Sequence, residues 1–141
     1  MDPKNQRTYV GRSGQMAVVA ELLARGINVA IPEVDVGEDI FAFQDGGQLI
    51  DRVQVKTANA KALKDGGYSA DISVSLRQLR AVDAPVLWYV FPIGLNEMWV
   101  NYVVIGRCDL DGLCITWKIG YENARAGELQ LHLTFRSGSL T

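Results

Sequence analysis

Three side chains in the first half of the chain have types and spacing that could work together on a phosphate. Asp39 is a hard carboxylate, and Gln54 and Lys56 follow it in the run Arg-Val-Gln-Val-Lys-Thr. On a strand, alternate side chains point the same way. Gln54 and Lys56 therefore share one face, and Val53 and Val55 share the other. Hydrolysis of a phosphodiester with a divalent ion needs hard oxygen ligands for magnesium and a cation near the attacking water or the scissile phosphate. Asp39 can supply the charged oxygen, Gln54 a neutral amide oxygen and the backbone carbonyl of Val55 another. Lys56 can stabilise charge building on the phosphate, or help deprotonate water.

The elements that must bring these groups together can be read from the spacing of apolar residues. Residues 1–7 read as loose. Met16, Val19, Ala20 and Leu23 fall at helical intervals and predict a helix from about Thr8 or Ser13 to Ala24, stopped by Gly26. Ile27, Val29 and Ile31 alternate as a strand that Pro32 closes. Asp39, Phe41 and Phe43 alternate with Ile40 and Ala42, and Gln-Asp-Gly-Gly-Gln then marks a hairpin leading into the Gln54 strand. Antiparallel pairing across that hairpin would place Asp39 on the face of Gln54 and Lys56. Residues 59–70, with Gly66 and Gly67, read as a loop, and residues 75–82 as a short helix capped by Ser75. Apolar runs at 85–93, 97–106, 113–119 and 128–135 read as strands, with residues 109–113 as a turn. The whole predicts one α/β domain over residues 1–141, a mixed central β-sheet flanked by helices.

Composition narrows the function classes. The 14 Lys and Arg against 16 Asp and Glu give a net charge of −2, so the chain lacks the basic surplus of a protein that coats nucleic acid without selectivity. No stretch is apolar and long enough to span a membrane, and the polar N-terminus has no apolar core of a secretory signal, which predicts a cytoplasmic protein with no membrane partner. Cys108 and Cys114 match no zinc spacing and read as packing residues or free thiols. His132, the only histidine, sits on the polar face of its strand with Gln130 and Thr134, so a histidine-based triad is not expected. Trp88, Trp99 and Trp117 read as core residues.

Gly-Arg-Ser-Gly-Gln ahead of an amphipathic helix, then a strand, then Val-Gly-Glu-Asp-Ile, then Val-Gln-Val-Lys-Thr resembles the PD-(D/E)XK nuclease superfamily. It is most similar to the small branch of Holliday-junction resolvase-like proteins and intron-encoded homing endonucleases. The resemblance covers about residues 9–58. It implies a restriction-endonuclease-like fold and a magnesium (or manganese) endonuclease acting on DNA. Asp39 matches the aspartate of the second motif and Lys56 the lysine of the third. Gln54 stands where most members carry an acid, and Gln15 where the first motif has one. Asp39, Val55 and Gln54 would then hold the metal, with Gln15 completing or orienting the shell. Arg12, Lys61, Lys64, Arg77 and Arg80 are the candidates for DNA backbone contact.

The two glutamines leave Asp39 as the one sure anion, so metal affinity should be reduced. Asp35 could fold back to compensate, whereas Glu38, as a strand neighbour of Asp39, should face away. A second reading follows: a nuclease fold without catalysis, serving as a module that binds nucleic acid or a protein. Either reading is compatible with a homodimer or a component of a larger complex.

Overall fold

The structure, a computed structural model, describes residues 1–34, 37–82 and 86–137. It opens on helix α1 (Pro3–Ala24), in which Asp2 caps the start by accepting a hydrogen bond from the Lys4 amide at 2.9 Å and Pro3 occupies the first turn. The segment expected to be loose is thus the first turns of the helix. A proline that needs no donor and an aspartate that satisfies one suffice to start a helix several residues before any apolar face begins. Gly26, with φ of 73°, ends it as expected.

Then come β1 (Asn28–Ala30), β2 (Ile40–Phe43), β3 (Ile50–Val55), β4 (Ala58–Asn59), β5 (Lys61–Ala62), β6 (Tyr68–Ser75) and the short helix α2 (Leu76–Leu79). The chain continues through β7 (Leu87–Leu95), β8 (Met98–Gly106), α3 (Arg107–Trp117), β9 (Tyr121–Asn123) and β10 (Glu128–Phe135). One mixed sheet runs β1-β2-β3-β7-β4, with β8 on the other side of β7. A second sheet runs β5-β6-β10-β9. The fold is α/β with a mixed central sheet and flanking helices, as the sequence predicts.

Two apolar layers hold the central sheet. Val53, Val55, Ile40, Ala42 and Val90 pack with Val18 of α1 on one face. On the other, Leu87, Tyr89, Phe91 and Ile93 of β7 meet Ala70, Ile72 and Val74 of β6, Leu129 and Leu131 of β10, and Leu79, Leu110 and Cys114 from the short helices. Each large apolar side chain fully withdrawn from water contributes about 1.5–3 kcal/mol. Among the described residues no helix is long and apolar enough to cross a membrane.

Three further segments differ from expectation. Residues 59–70 are not a single loop: they hold β4, β5 and the start of β6. Ala70, Ile72 and Val74 alternate with Asp71, Ser73 and Ser75 in the buried-exposed rhythm of a strand, a rhythm that small residues make faint. The expected helix over 75–82 shrinks to α2, with Ser75 capping it as predicted. The expected turn at 109–113 and strand at 113–119 are instead α3, whose buried residues Arg107, Leu110 and Cys114 recur at helical spacing. Trp117 is consequently 73% exposed rather than core. Cys108 is exposed and Cys114 buried, both as free thiols, and burial pushes the Cys114 thiol up. His132 lies on the exposed face of β10 and bonds Asp71 across the strand pair at 2.7 Å.

Tyr89 lies fully inside the second layer, and its hydroxyl meets no hydrogen-bond partner among the described residues. Burial, the leading cause, pushes its pKa up from 10.0 to about 12. The folded chain keeps a proton that the unfolded chain releases from about pH 10. Stability is therefore full below that pH and falls as pH rises toward 12. Tyr89→Phe is expected to remove this alkaline loss while changing stability at pH 7 by no more than about 1 kcal/mol. Urea melts at pH 7 and across the alkaline window will show it.

Candidate functional site

The site forms where β2 begins and β3 ends. The two strands pair antiparallel, Ile40 opposite Val53, and the Asp39 amide donates to the Val53 carbonyl at 2.9 Å, one step beyond the ladder. Alternation then does what the hairpin predicts. Ile40, Val53 and Val55 turn to α1, and Asp39 and Gln54 turn to the opposite face and touch. The Gln54 Nε2 donates to Asp39 Oδ2 at 2.6 Å, and the Val55 amide donates to the same oxygen at 2.7 Å.

β3 runs parallel to β7 as far as Val55 opposite Val90, and the Lys56 amide donates to the Val90 carbonyl at 3.0 Å. Pairing with β7 resumes at Ala58 opposite Ile93. Between these rungs β7 presents Pro92, which has no N–H to offer. Lys56 and Thr57 thus sit at a pause in the sheet, half-buried, on the rim of a cleft of about 890 Å³.

Helix α1 crosses that end of the sheet because Gly14 lets it. An added Cβ there would stand 2.7 and 2.8 Å from Cγ2 and Cβ of Thr57, and closer still to its Oγ1. The approach delivers Gln15, whose Nε2 donates to the Asp39 carbonyl at 2.8 Å while its Oε1 accepts from Arg12 at 2.6 Å. Gln15 is therefore a mid-helix residue tied to the strand of Asp39.

The cleft gathers Arg7, Arg12, Gln15, Asp39, Gln54, Val55 and Lys56. Three cations and one carboxylate line it, a local basic strip on a mildly acidic chain. Arg77 lines an adjoining groove of about 570 Å³, together with Glu38, Arg52, Gln54 and Lys56. Lys61 and Lys64 are exposed on and after β5, outside the cleft. Arg80 lies elsewhere, paired with Glu122 and Asp111. Those bonds, Glu122 first, raise its pKa, and the same bond lowers that of Glu122.

Glu38 does not face away. β2 starts only at Ile40, so alternation does not extend to residue 38, and the buried Glu38 carboxylate pairs with Arg52 in the adjoining groove. Asp35 lies outside the described residues.

Two contributors cannot be placed in the cleft from the sequence alone. Arg7 needs α1 to start at Pro3 before it falls on the cleft face with Gly11 and Gln15, one and two helical turns on. Gln78, on α2, donates from Nε2 to Gln54 Oε1 at 3.1 Å and to the Gly37 carbonyl at 2.6 Å. These contacts span 24 and 41 positions of sequence, and no local signal announces them.

Asp39 and the Val55 carbonyl are hard oxygen donors of the kind a small hard cation takes. The Gln54 nitrogen stands 2.6 Å from Asp39 Oδ2 and 3.4 Å from the Val55 carbonyl oxygen, and those two oxygens would be the ones to hold a divalent ion. Beyond that, among the described residues no three His, Cys, Asp or Glu side chains converge as a metal cluster.

No protein-family model matches the sequence, and no curated protein matches it. Among solved structures the chain is similar to that of a bacterial homing endonuclease, I-Ssp6803I, with a TM-score of 0.54 and 20% identity over 94% of this chain and 77% of that one. At that identity the likeness is one of fold, and in fold this chain is similar to a bacterial endonuclease.

Proposed function

We propose that this chain is a metal-dependent endonuclease that hydrolyses DNA phosphodiester bonds, using a variant PD-(D/E)XK site. The observation that carries this reading is the meeting of Asp39, Gln54, the Val55 carbonyl and Lys56 at one sheet end, in a cleft whose other charges are Arg7 and Arg12. Asp39 and the Val55 carbonyl would hold magnesium or manganese, joined by Gln54 once its amide turns its oxygen inward. Lewis-acid polarisation of a phosphate and activation of water are the chemistry such an ion supplies when bound. Lys56 would neutralise charge on the phosphate, and Arg7 and Arg12, both on α1, would hold the neighbouring backbone. The similarity in fold to a homing endonuclease supports DNA as the substrate.

Supercoiled plasmid incubated with Mg²⁺ or Mn²⁺ tests the reading. Nicking that disappears with chelator and in Asp39→Asn is the expected result. Intact plasmid over a full range of metal concentrations would overturn catalysis.

One observation favours the alternative, a nuclease-fold module that binds nucleic acid or a protein without cutting. Amide N–H groups of Gln15, Gln54 and Val55 already satisfy Asp39 at its carbonyl and carboxylate. The two readings part on Gln15→Glu. That change removes the donor to the Asp39 carbonyl and sets a second carboxylate nearby, so the metal-free protein should lose about 1–3 kcal/mol. Under the enzyme reading, Mn²⁺ binds the variant more tightly than wild type and restores its melting temperature. Under the module reading, Mn²⁺ restores nothing. A homodimer, which would let two sites address both strands, belongs to the enzyme reading and can be checked by sedimentation.

A further inference from the structure

A carboxylate and a backbone carbonyl only accept hydrogen bonds. This fixes both amides of the chain Asp39–Gln54–Gln78–Gly37 from its two ends. Asp39 Oδ2 requires the Gln54 nitrogen, which turns Gln54 Oε1 away from the ion position and toward Gln78. The Gly37 carbonyl requires the Gln78 nitrogen, and that same nitrogen donates to Gln54 Oε1. Gly37 has φ of 112°, a left-handed conformation suited to glycine, and it is the point to which the relay is anchored. With the relay closed, the Gln54 nitrogen, not its oxygen, faces Asp39 and the Val55 carbonyl.

From this geometry we infer that Gln78 is a positioning residue that sets which atom of Gln54 faces the ion position, and so holds the site in a metal-excluding state. This rests on the proposed metal-dependent reading. Turning Gln54 over would bring its nitrogen against that of Gln78, two donors with no acceptor between them. Gln78 would have to release Gly37 or turn as well. Loading the site therefore costs at least one hydrogen bond that wild type must break and that a Gln78 variant need not.

Two variants test it in the full-length protein. Gln78→Leu removes the donor without adding charge. Gln78→Glu replaces the donor by an acceptor that welcomes the turned Gln54 nitrogen. Mn²⁺ titrated calorimetrically should bind Gln78→Leu about five-fold more tightly than wild type, the size of one neutral hydrogen bond, and Gln78→Glu more tightly still. In the metal-free protein, the Gln54 side-chain N–H resonances, assigned by their loss in Gln54→Leu, should shift in both variants. Mn²⁺ affinity unchanged in Gln78→Leu would overturn the inference, even if Gln78→Glu binds better, because charge alone would explain that gain. If no variant binds Mn²⁺, the nuclease reading fails, and the resonances judge the relay by themselves: shifted Gln54 signals support it, unmoved signals overturn it.

Discussion

Under the proposed endonuclease reading, replacing Lys56 by alanine is expected to slow DNA cleavage roughly 100- to 1000-fold, the usual loss when one group that stabilises transition-state charge is removed. The structure explains why the loss should be confined to chemistry. The main chain at Lys56 is held by its amide bond to Val90, which the substitution leaves in place, and the side chain opens onto the cleft rather than into either apolar layer. Thermal stability should therefore stay within about 0.5 kcal/mol of wild type. Single-turnover cleavage at saturating metal gives the rate, and fluorescence anisotropy with metal withheld gives DNA affinity. Affinity should drop far less than the rate, because Arg7 and Arg12 remain. Cleavage at the wild-type rate would place Lys56 outside the reaction.

Arg7 and Arg12 separate binding from chemistry in the same assay. They line the cleft from α1, and Arg12 is tied to Gln15. Each cation that neutralises one phosphate makes DNA affinity more salt-dependent by about one unit of slope. A chain that binds DNA through these arginines and does not cut would still show that slope, which distinguishes a binding module from a protein with no affinity for nucleic acid.

The sequence makes some parts of this arrangement legible and hides others, for physical reasons. The β2–β3 hairpin was legible because alternation over Ile40, Ala42, Val53 and Val55 and the Asp-Gly-Gly turn agree on one register. That register alone predicts the contact of Asp39 with Gln54. The start of α1 was hidden because its first turns carry no apolar face, although Asp2 and Pro3 carried the cap signal. α3 was hidden because Ile115, Thr116 and Trp117 favour strands locally, while burial of Arg107, Leu110 and Cys114 decides for a helix. Arg77 and Arg80 look alike in sequence. One lines a groove beside Gln54 and the other is held by Glu122 and Asp111, a difference that only the packing of α3 and β9 creates. Gln78 belongs to the same class: its partners exist only once folding brings α2 within reach of Gln54 and Gly37.

Gly14→Ala should be strongly disruptive for a substitution that adds one methyl group, because it acts on a close contact that helps place α1 over the site. Gly14 is buried, and a methyl group there would lie under 3 Å from Thr57, where real side chains essentially never pack. Overpacking of this kind costs about 1–3 kcal/mol, so denaturant unfolding should shift accordingly. The strain has two outlets, and they are distinguishable. If Thr57 yields, Thr57→Ala should recover part of the lost stability in the double variant, a non-additive result that a double-mutant cycle measures. Recovery will be incomplete, since the Thr57 Cβ is itself 2.8 Å from the added methyl. If α1 yields instead, it carries Gln15 away from the Asp39 carbonyl, and Arg7 and Arg12 move with it. Activity and DNA affinity then fall together, by more than Gln15→Ala alone produces. Full additivity of Gly14→Ala with Thr57→Ala, at wild-type activity, would mean that the helix does not rest on Thr57 and that its position does not set the geometry of the cleft.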